Sequence, residues 1–168
     1  MNSTPPTAAA AAATSADDER WMQIALAEAR EAYARGDWPT GAVLVKEGLL
    51  LGRGQNRQNT RGDVTAHAEP DALRDAFAAH GPEAGRGATL YCTMEPCPMC
   101  AGALKLAGVR CLVLGLRHAR LRRTDLGDYS IESFCKMTGF DLALRQGVLE
   151  EDYLALRLRW GGDAVQRG

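Results

Sequence analysis

Thr89-Leu90-Tyr91-Cys92-Thr93 and Cys111-Leu112-Val113-Leu114-Gly115 are two apolar runs of strand length, and between them lies Pro98 to Ala107, closed by Gly108. Short apolar runs rich in β-branched and aromatic residues read as strands. Proline just inside the start and glycine just past the end is the asymmetry of a helix. Strand, helix and strand in succession make a crossover, and crossovers join parallel neighbours. This unit decides the fold class as α/β. Cys111–Gly115 is apolar throughout, so it is expected inside the sheet, with neighbours on both sides.

Upstream, Ala42 to Lys46 and Leu49 to Gln55 read as two strands joined by a tight turn at Glu47-Gly48. A first helix is expected over Asp17 to Arg35, where Trp21, Met22, Ala25, Leu26, Ala29 and Tyr33 repeat at helical spacing. Its acidic start suits the positive end of a helix, and Gly36 ends it. Asn56 to Val64 reads as a polar loop, and a second helix is expected from Thr65 or Ala66 to about His80. Downstream, the spacing predicts a short helix near Ser130 to Met137, a fifth strand over Asp141 to Arg145 and a closing helix over Glu150 to Trp160. That last helix is expected to turn Tyr153, Leu154, Leu156 and Trp160 inward. Helices then cover both faces of a central sheet.

The 168 residues are enough for one domain with its own core. Met1 to Ala16 is Ala-rich and lacks the basic and strongly apolar regions of a secretory signal, so it reads as a disordered tail, with residues 17–168 as a single domain. No window reaches 18 apolar residues, and no transmembrane helix is expected. The formal net charge of -1 argues neither for nor against a nucleic-acid partner. Five cysteines, two of them at metal-type spacing, point to a reducing, cytoplasmic setting. Cys92 and Cys111 are expected as small core residues; Cys135 is left open.

Two stretches carry chemistry: His67-Ala68-Glu69 and Pro96-Cys97-Pro98-Met99-Cys100. His nitrogen and Cys thiolate are zinc ligands, and three protein ligands leave the fourth corner open, as in catalytic sites. Cys97 is expected as the cap of the helix that Pro98 opens. Cys100 follows one turn on, on the same face. The helix start favours both as thiolates. His67 falls at the start of another helix. Glu69 has no place among the ligands and is near enough to handle the protons of a zinc-activated water. A structural zinc knot would need a fourth ligand, and neither His80, His118 nor another Cys stands at knuckle spacing.

These residues resemble the cytidine deaminase superfamily, whose signature is H-x-E followed by P-C-x-x-C. The nearer likeness is to the branch holding tRNA adenosine deaminase, guanine deaminase and fungal cytosine deaminase. It is carried by Pro39 to Val45, Gly52 to Arg57, Thr65 to Glu69 and Thr89 to Ala103. The resemblance implies a three-layer α-β-α fold around a five-stranded mixed sheet, one zinc per subunit and a homodimer. It also implies that Asn56 holds the substrate's polar edge and that the Ala68 N–H faces a substrate atom. Glu95 is expected to be a structural hydrogen-bonding residue. Pro70 departs from the aliphatic residue usual there. With Ala66 as the helix cap, Pro70 would lie at the edge of what a first turn tolerates.

The substrate is less legible. Arg117-His118-Ala119-Arg120-Leu121-Arg122-Arg123 is a basic run that either follows a phosphate backbone or is solvated or dimer-facing. No aromatic residues interleave with it. The loop Thr124 to Tyr129 is similar to the acidic segment of guanine deaminases, which nominates Asp128 as a substrate-binding carboxylate, with helix capping as its alternative. Trp38 and Trp160 either wall a pocket or pack the core. The first expectation is therefore deamination of a small aminated heterocycle (a free base, nucleoside or relative). Deamination of adenosine in tRNA stands second and a non-catalytic zinc module third.

Overall fold

The computed structural model describes residues 15–123 and 125–161. The expected tail up to residue 14 lies outside them. Ser15 and Ala16, read as its end, belong instead to the first helix. Ser15 Oγ accepts the Asp18 N–H at 3.1 Å and caps α1 (Ala16–Arg35), and Gly36 closes it in the left-handed conformation at φ 90°. Strands β1 (Gly41–Lys46) and β2 (Leu49–Gln55) form the expected hairpin. A single turn, α2 (Gln58–Arg61), follows, then α3 (Ala68–His80), β3 (Thr89–Met94), α4 (Pro98–Leu106) and β4 (Cys111–Leu116). The chain continues with α5 (Ile131–Thr138), β5 (Ala143–Arg145) and α6 (Glu150–Trp160).

The sheet order is β2-β1-β3-β4-β5. β1 is antiparallel to β2 and β3, while β3–β4 and β4–β5 are parallel, so the sheet is five-stranded and mixed. Period-2 alternation sorts its side chains. Ala42, Leu44, Leu90, Cys92, Leu112 and Leu114 face a core shared with α3, α4 and α5. Val43, Tyr91 and Val113 face the other way, beneath Trp21, Met22 and Ala25 of α1. α6 joins this second layer through Tyr153 and Leu156, which pack with Leu26 and Ala29. The expected three layers follow from this alternation. Cys92 is fully buried, whereas Cys111 is only half-buried; Cys135 packs partly buried against the first core. No helix among the described residues is long and apolar enough to cross a membrane.

Two boundaries differ from expectation for local reasons. The loop after β2 contains α2 because buried Asp37 reaches across to accept the Thr60 N–H and hydroxyl at 2.9 and 2.8 Å. α3 begins at Ala68, not near Thr65. The Asp63 carboxylate accepts the N–H and hydroxyl of Thr65, and Ala66 O accepts the Arg57 N–H, so residues 63–66 form a turn held against α2. His67, with extended backbone, is therefore the cap. Pro70 falls at the third helical position, whose N–H a helix leaves unbonded, and the first helical bond runs from Asp71 N to His67 O at 3.2 Å. The departure at Pro70 thus leaves the turn intact.

α3 comes this close to β2 because Gly52 and Gly54 put no side chains beneath it. A Cβ at Gly54 would lie 2.0 Å from Ala68 O and 2.3 Å from Ala72 N, and one at Gly52 2.4 Å from Ala72 O. The obstacles are backbone atoms, so the helix itself would have to lift. Gly54→Ala is expected to cost about 3 kcal/mol, the upper end of overpacking penalties, and to loosen the metal site that α3 carries. Denaturant midpoint and zinc retention measure both; unchanged values would contradict this packing.

Candidate active site

The site forms where two helix starts converge. His67 caps α3 and Cys97 caps α4, each with extended backbone, and Pro98 at the first helical position fixes the entry into α4. Cys100 lies one turn into α4 and is fully buried. His67 Nδ1 stands 3.7 Å from Cys97 Sγ and 3.4 Å from Cys100 Sγ, and the two sulfurs are 3.6 Å apart. A tetrahedral zinc with Zn–S of about 2.3 Å and Zn–N of about 2.0 Å sets sulfurs about 3.7 Å apart and sulfur and nitrogen about 3.5 Å apart. The three edges therefore fit one face of a zinc tetrahedron. Among the described residues, this trio is the group of His, Cys and carboxylate side chains close enough to hold a metal ion. None of the described residues supplies a ligand at its fourth corner.

The electrostatics suit a cation. The neighbouring Cys100 thiol and His67 bring Cys97 down to about 4, against the effect of burial, while Cys97 and burial push the Cys100 thiol up, so that in the absence of a cation the two sulfurs share one proton rather than both being thiolates. Glu69, at the second position of α3 and 3% exposed, is pushed above the ordinary carboxylate range by burial, which His67 only partly offsets. A carboxyl tuned upward beside an open metal corner is suited to both accept and donate a proton.

A cavity of about 410 Å³ opens onto this corner. His67, Cys97 and Glu69 line it, with Asn56 and Trp38 beside them and Val64, 78% exposed, at its mouth. Asn56 is buried; its Oδ1 accepts the Gln58 N–H at 3.0 Å and its Nδ2 donates to Gln58 Oε1 at 2.9 Å. Each atom keeps one further hydrogen-bonding position. The Ala68 N–H sits at the first helical position, one that the helix leaves unbonded.

Glu95 is the structural hub expected of it. It accepts from Arg117 Nε and the His118 and Ile131 N–H groups, all at 2.9 Å. Asp128 is exposed and lies outside the cavity lining, so its nomination is not supported; nor does it cap α5, which Ser130 does. Asp125, three residues earlier, lines the cavity instead, because Arg123 Nε draws its carboxylate back at 2.8 Å. The basic run is largely spent within the chain. Arg117 pairs with Glu95 and Glu132, Arg120 with Glu150 at 3.4 Å, and Arg123 with Asp125. Trp38 walls the cavity, whereas Trp160 is outside its lining and packs at a tilt against Trp38, ring centroids 6.1 Å apart. His118 and Arg157 also line the cavity. Sequence reasoning missed both, although Arg157 adjoins Leu156 on the inward side of α6.

The fold, the zinc-type triad and the free carboxyl define a zinc-dependent deaminase. Residues 15–116 match the cytidine and deoxycytidylate deaminase zinc-binding region, and the chain belongs to that family. It is 47% identical over 105 residues to a tRNA-specific adenosine deaminase of Agrobacterium fabrum, covering 62% of this chain and 69% of that one. It is also 45% identical over 98 residues to the tRNA-specific adenosine deaminase of Bacillus subtilis, covering 58% and 61%. A solved structure from work on A-to-I editing by tRNA:A34 deaminases aligns with a TM-score of 0.71 at 36% identity, over 82% of this chain and 98% of that one. The guanine deaminase of Nitrosomonas europaea aligns with a TM-score of 0.76 at 26% identity, over 95% and 97%.

Proposed function

We propose that the protein hydrolytically deaminates adenosine in tRNA to inosine, releasing ammonia. The observation that carries this reading is the 47% identity to a tRNA-specific adenosine deaminase, over a matched family region that holds both halves of the triad and Glu69. It reverses the order expected from the sequence, which put a small heterocycle first. That order rested in part on Asp128 as a base-binding carboxylate, and Asp128 is outside the cavity lining.

His67, Cys97 and Cys100 would hold the zinc. When bound, zinc supplies a water activated for attack at neutral pH. Glu69 takes one proton from the attacking water and delivers it to the ring nitrogen, where it stays, then carries the second, from the newly added hydroxyl, to the departing amine, so that the C–N bond breaks, ammonia leaves and a carbonyl remains. Asn56 offers its spare amide positions, and the Ala68 N–H its unbonded hydrogen, to the polar edge of the base. Water and adenosine are consumed, and inosine and ammonia are produced. Two copies of the chain form the working unit in this proposal: Leu106 on α4 and Met137 on α5 are 91% and 77% exposed, apolar surface that pairing would cover. Light scattering would then give twice the 18.1 kDa chain mass; a single-chain mass would count against it.

Zinc-loaded protein incubated with an anticodon stem-loop bearing adenosine at the wobble position is expected to yield inosine there, and no ammonia from guanine, cytosine or adenine. Ammonia from guanine with the RNA unchanged would instead favour the small-base reading.

A further inference from the structure

Arg157 is 9% exposed, and among the described residues its guanidinium has no ion-pair partner. Burying a cation without a counter-charge is costly. What holds it is Trp38, whose ring lies 4.6 Å from the guanidinium carbon. Trp160, one turn further along α6, packs against the same Trp38 ring. Arg157 lines the cavity that reaches the metal corner. Arg123, on the same cavity, is neutralised by Asp125, and Glu95 by Arg117; among the described residues Arg157 has no such counter-charge.

A second observation is independent of the first. His118 is 6% exposed and lines the same cavity; among the described residues neither Nδ1 nor Nε2 makes a well-formed hydrogen bond, the Pro96 backbone offering only a weak contact. Buried polar side chains are almost always paired, and one left unpaired at a cavity is a place for a ligand atom. Burial keeps this imidazole below its ordinary pKa, so it offers one N–H donor rather than a second full charge. A guanidinium held over an aromatic ring, with a ring N–H donor on the same cavity, matches an oxyanion with several acceptors.

We propose that Arg157 and His118 form a subsite for a phosphate group of the substrate. The inference deepens the preceding reading, in which the base enters as part of a nucleotide. It rests on this cavity being the deaminase site. The cavity lies within the range of about 300–1,000 Å³ for sites that enclose ligands larger than a bare base.

The test uses the zinc-loaded full chain, wild type and Arg157→Gln, on two substrate pairs. One is an anticodon stem-loop RNA with either a native or a neutral methylphosphonate linkage beside the target adenosine. The other is adenosine and its 5′-monophosphate. The subsite predicts that wild type prefers the charged member of at least one pair by about tenfold or more in kcat/KM, mainly through KM. Arg157→Gln should erase that preference, Arg157→Lys should keep part of it, and the salt slope for the charged substrate should fall by about one in the Gln variant. A preference confined to the RNA pair identifies a phosphodiester. One confined to the monophosphate pair identifies a phosphomonoester, and with unreacted RNA it refutes the tRNA reading while supporting the subsite. No wild-type preference in either pair, a preference that survives Arg157→Gln, or equal losses on both members of a pair would each overturn the subsite.

Discussion

Glu69→Gln is expected to lower kcat by about three to four orders of magnitude while zinc stays bound. The change keeps the shape and burial of the side chain, so the cavity and triad are preserved. What it removes is the capacity to take up and release a proton. General acid–base groups contribute about 10²–10⁴ in rate, and Glu69 serves more than one transfer, which places the loss at the upper end. Burial already pushes the carboxyl above its ordinary range, so at neutral pH it lies nearer to exchanging protons than a solvated glutamate does. Single-turnover kinetics and metal analysis of the same preparation test this. Full activity with zinc in place would mean that another group carries the protons. Loss of activity with loss of zinc would mean that Glu69 holds the metal site together.

Cys97→Ser or His67→Ala is expected to abolish turnover for a different reason: each removes one of the three ligands whose spacing matches a zinc tetrahedron. A site with two protein ligands left has no comparable grip on the ion. The same loss should follow chelation of the wild type and reverse when zinc is restored. Binding of metal to the folded chain alone stabilises it by about 2.7 kcal/mol at a free concentration one hundred times Kd. For a chain of this size that corresponds to a fall of about 5–10 °C in melting temperature on chelation. Calorimetry before and after chelation measures it; an unchanged midpoint would show that the three side chains hold no metal in the folded protein.

The metal site was legible because each half is local. A cysteine followed by proline caps a helix, and the next cysteine lies one turn on; a histidine before a helical run caps another. That the two caps meet depends on α3 lying on β2, which Gly52 and Gly54 make possible. The crossover from β3 through α4 to β4 was legible for the same reason, since short apolar runs and a Pro/Gly-bounded helix leave few alternatives. The start of α3 was not, because the Asp63 carboxylate and the Arg57 N–H hold residues 63–66 in a turn, and these contacts decide where the helix begins.

The substrate end of the cavity was harder still. Choosing Asp125 over Asp128 depends on the Arg123 ion pair within an irregular loop, where no periodicity applies. Arg157 stands on the flank of the inward face of α6. Helical spacing cannot say whether an arginine there extends to solvent or turns back over Trp38. His118 was lost inside a basic run whose arginines proved to be mostly paired with acids of the same chain.

Zinc X-ray absorption on the purified protein tests the central claim most directly. Three protein ligands with an open corner predict two sulfur scatterers at about 2.3 Å, one imidazole nitrogen at about 2.0 Å and a fourth light atom that the chain does not supply. A third sulfur or a second imidazole in that shell would close the corner, and with it the case for a hydrolytic site.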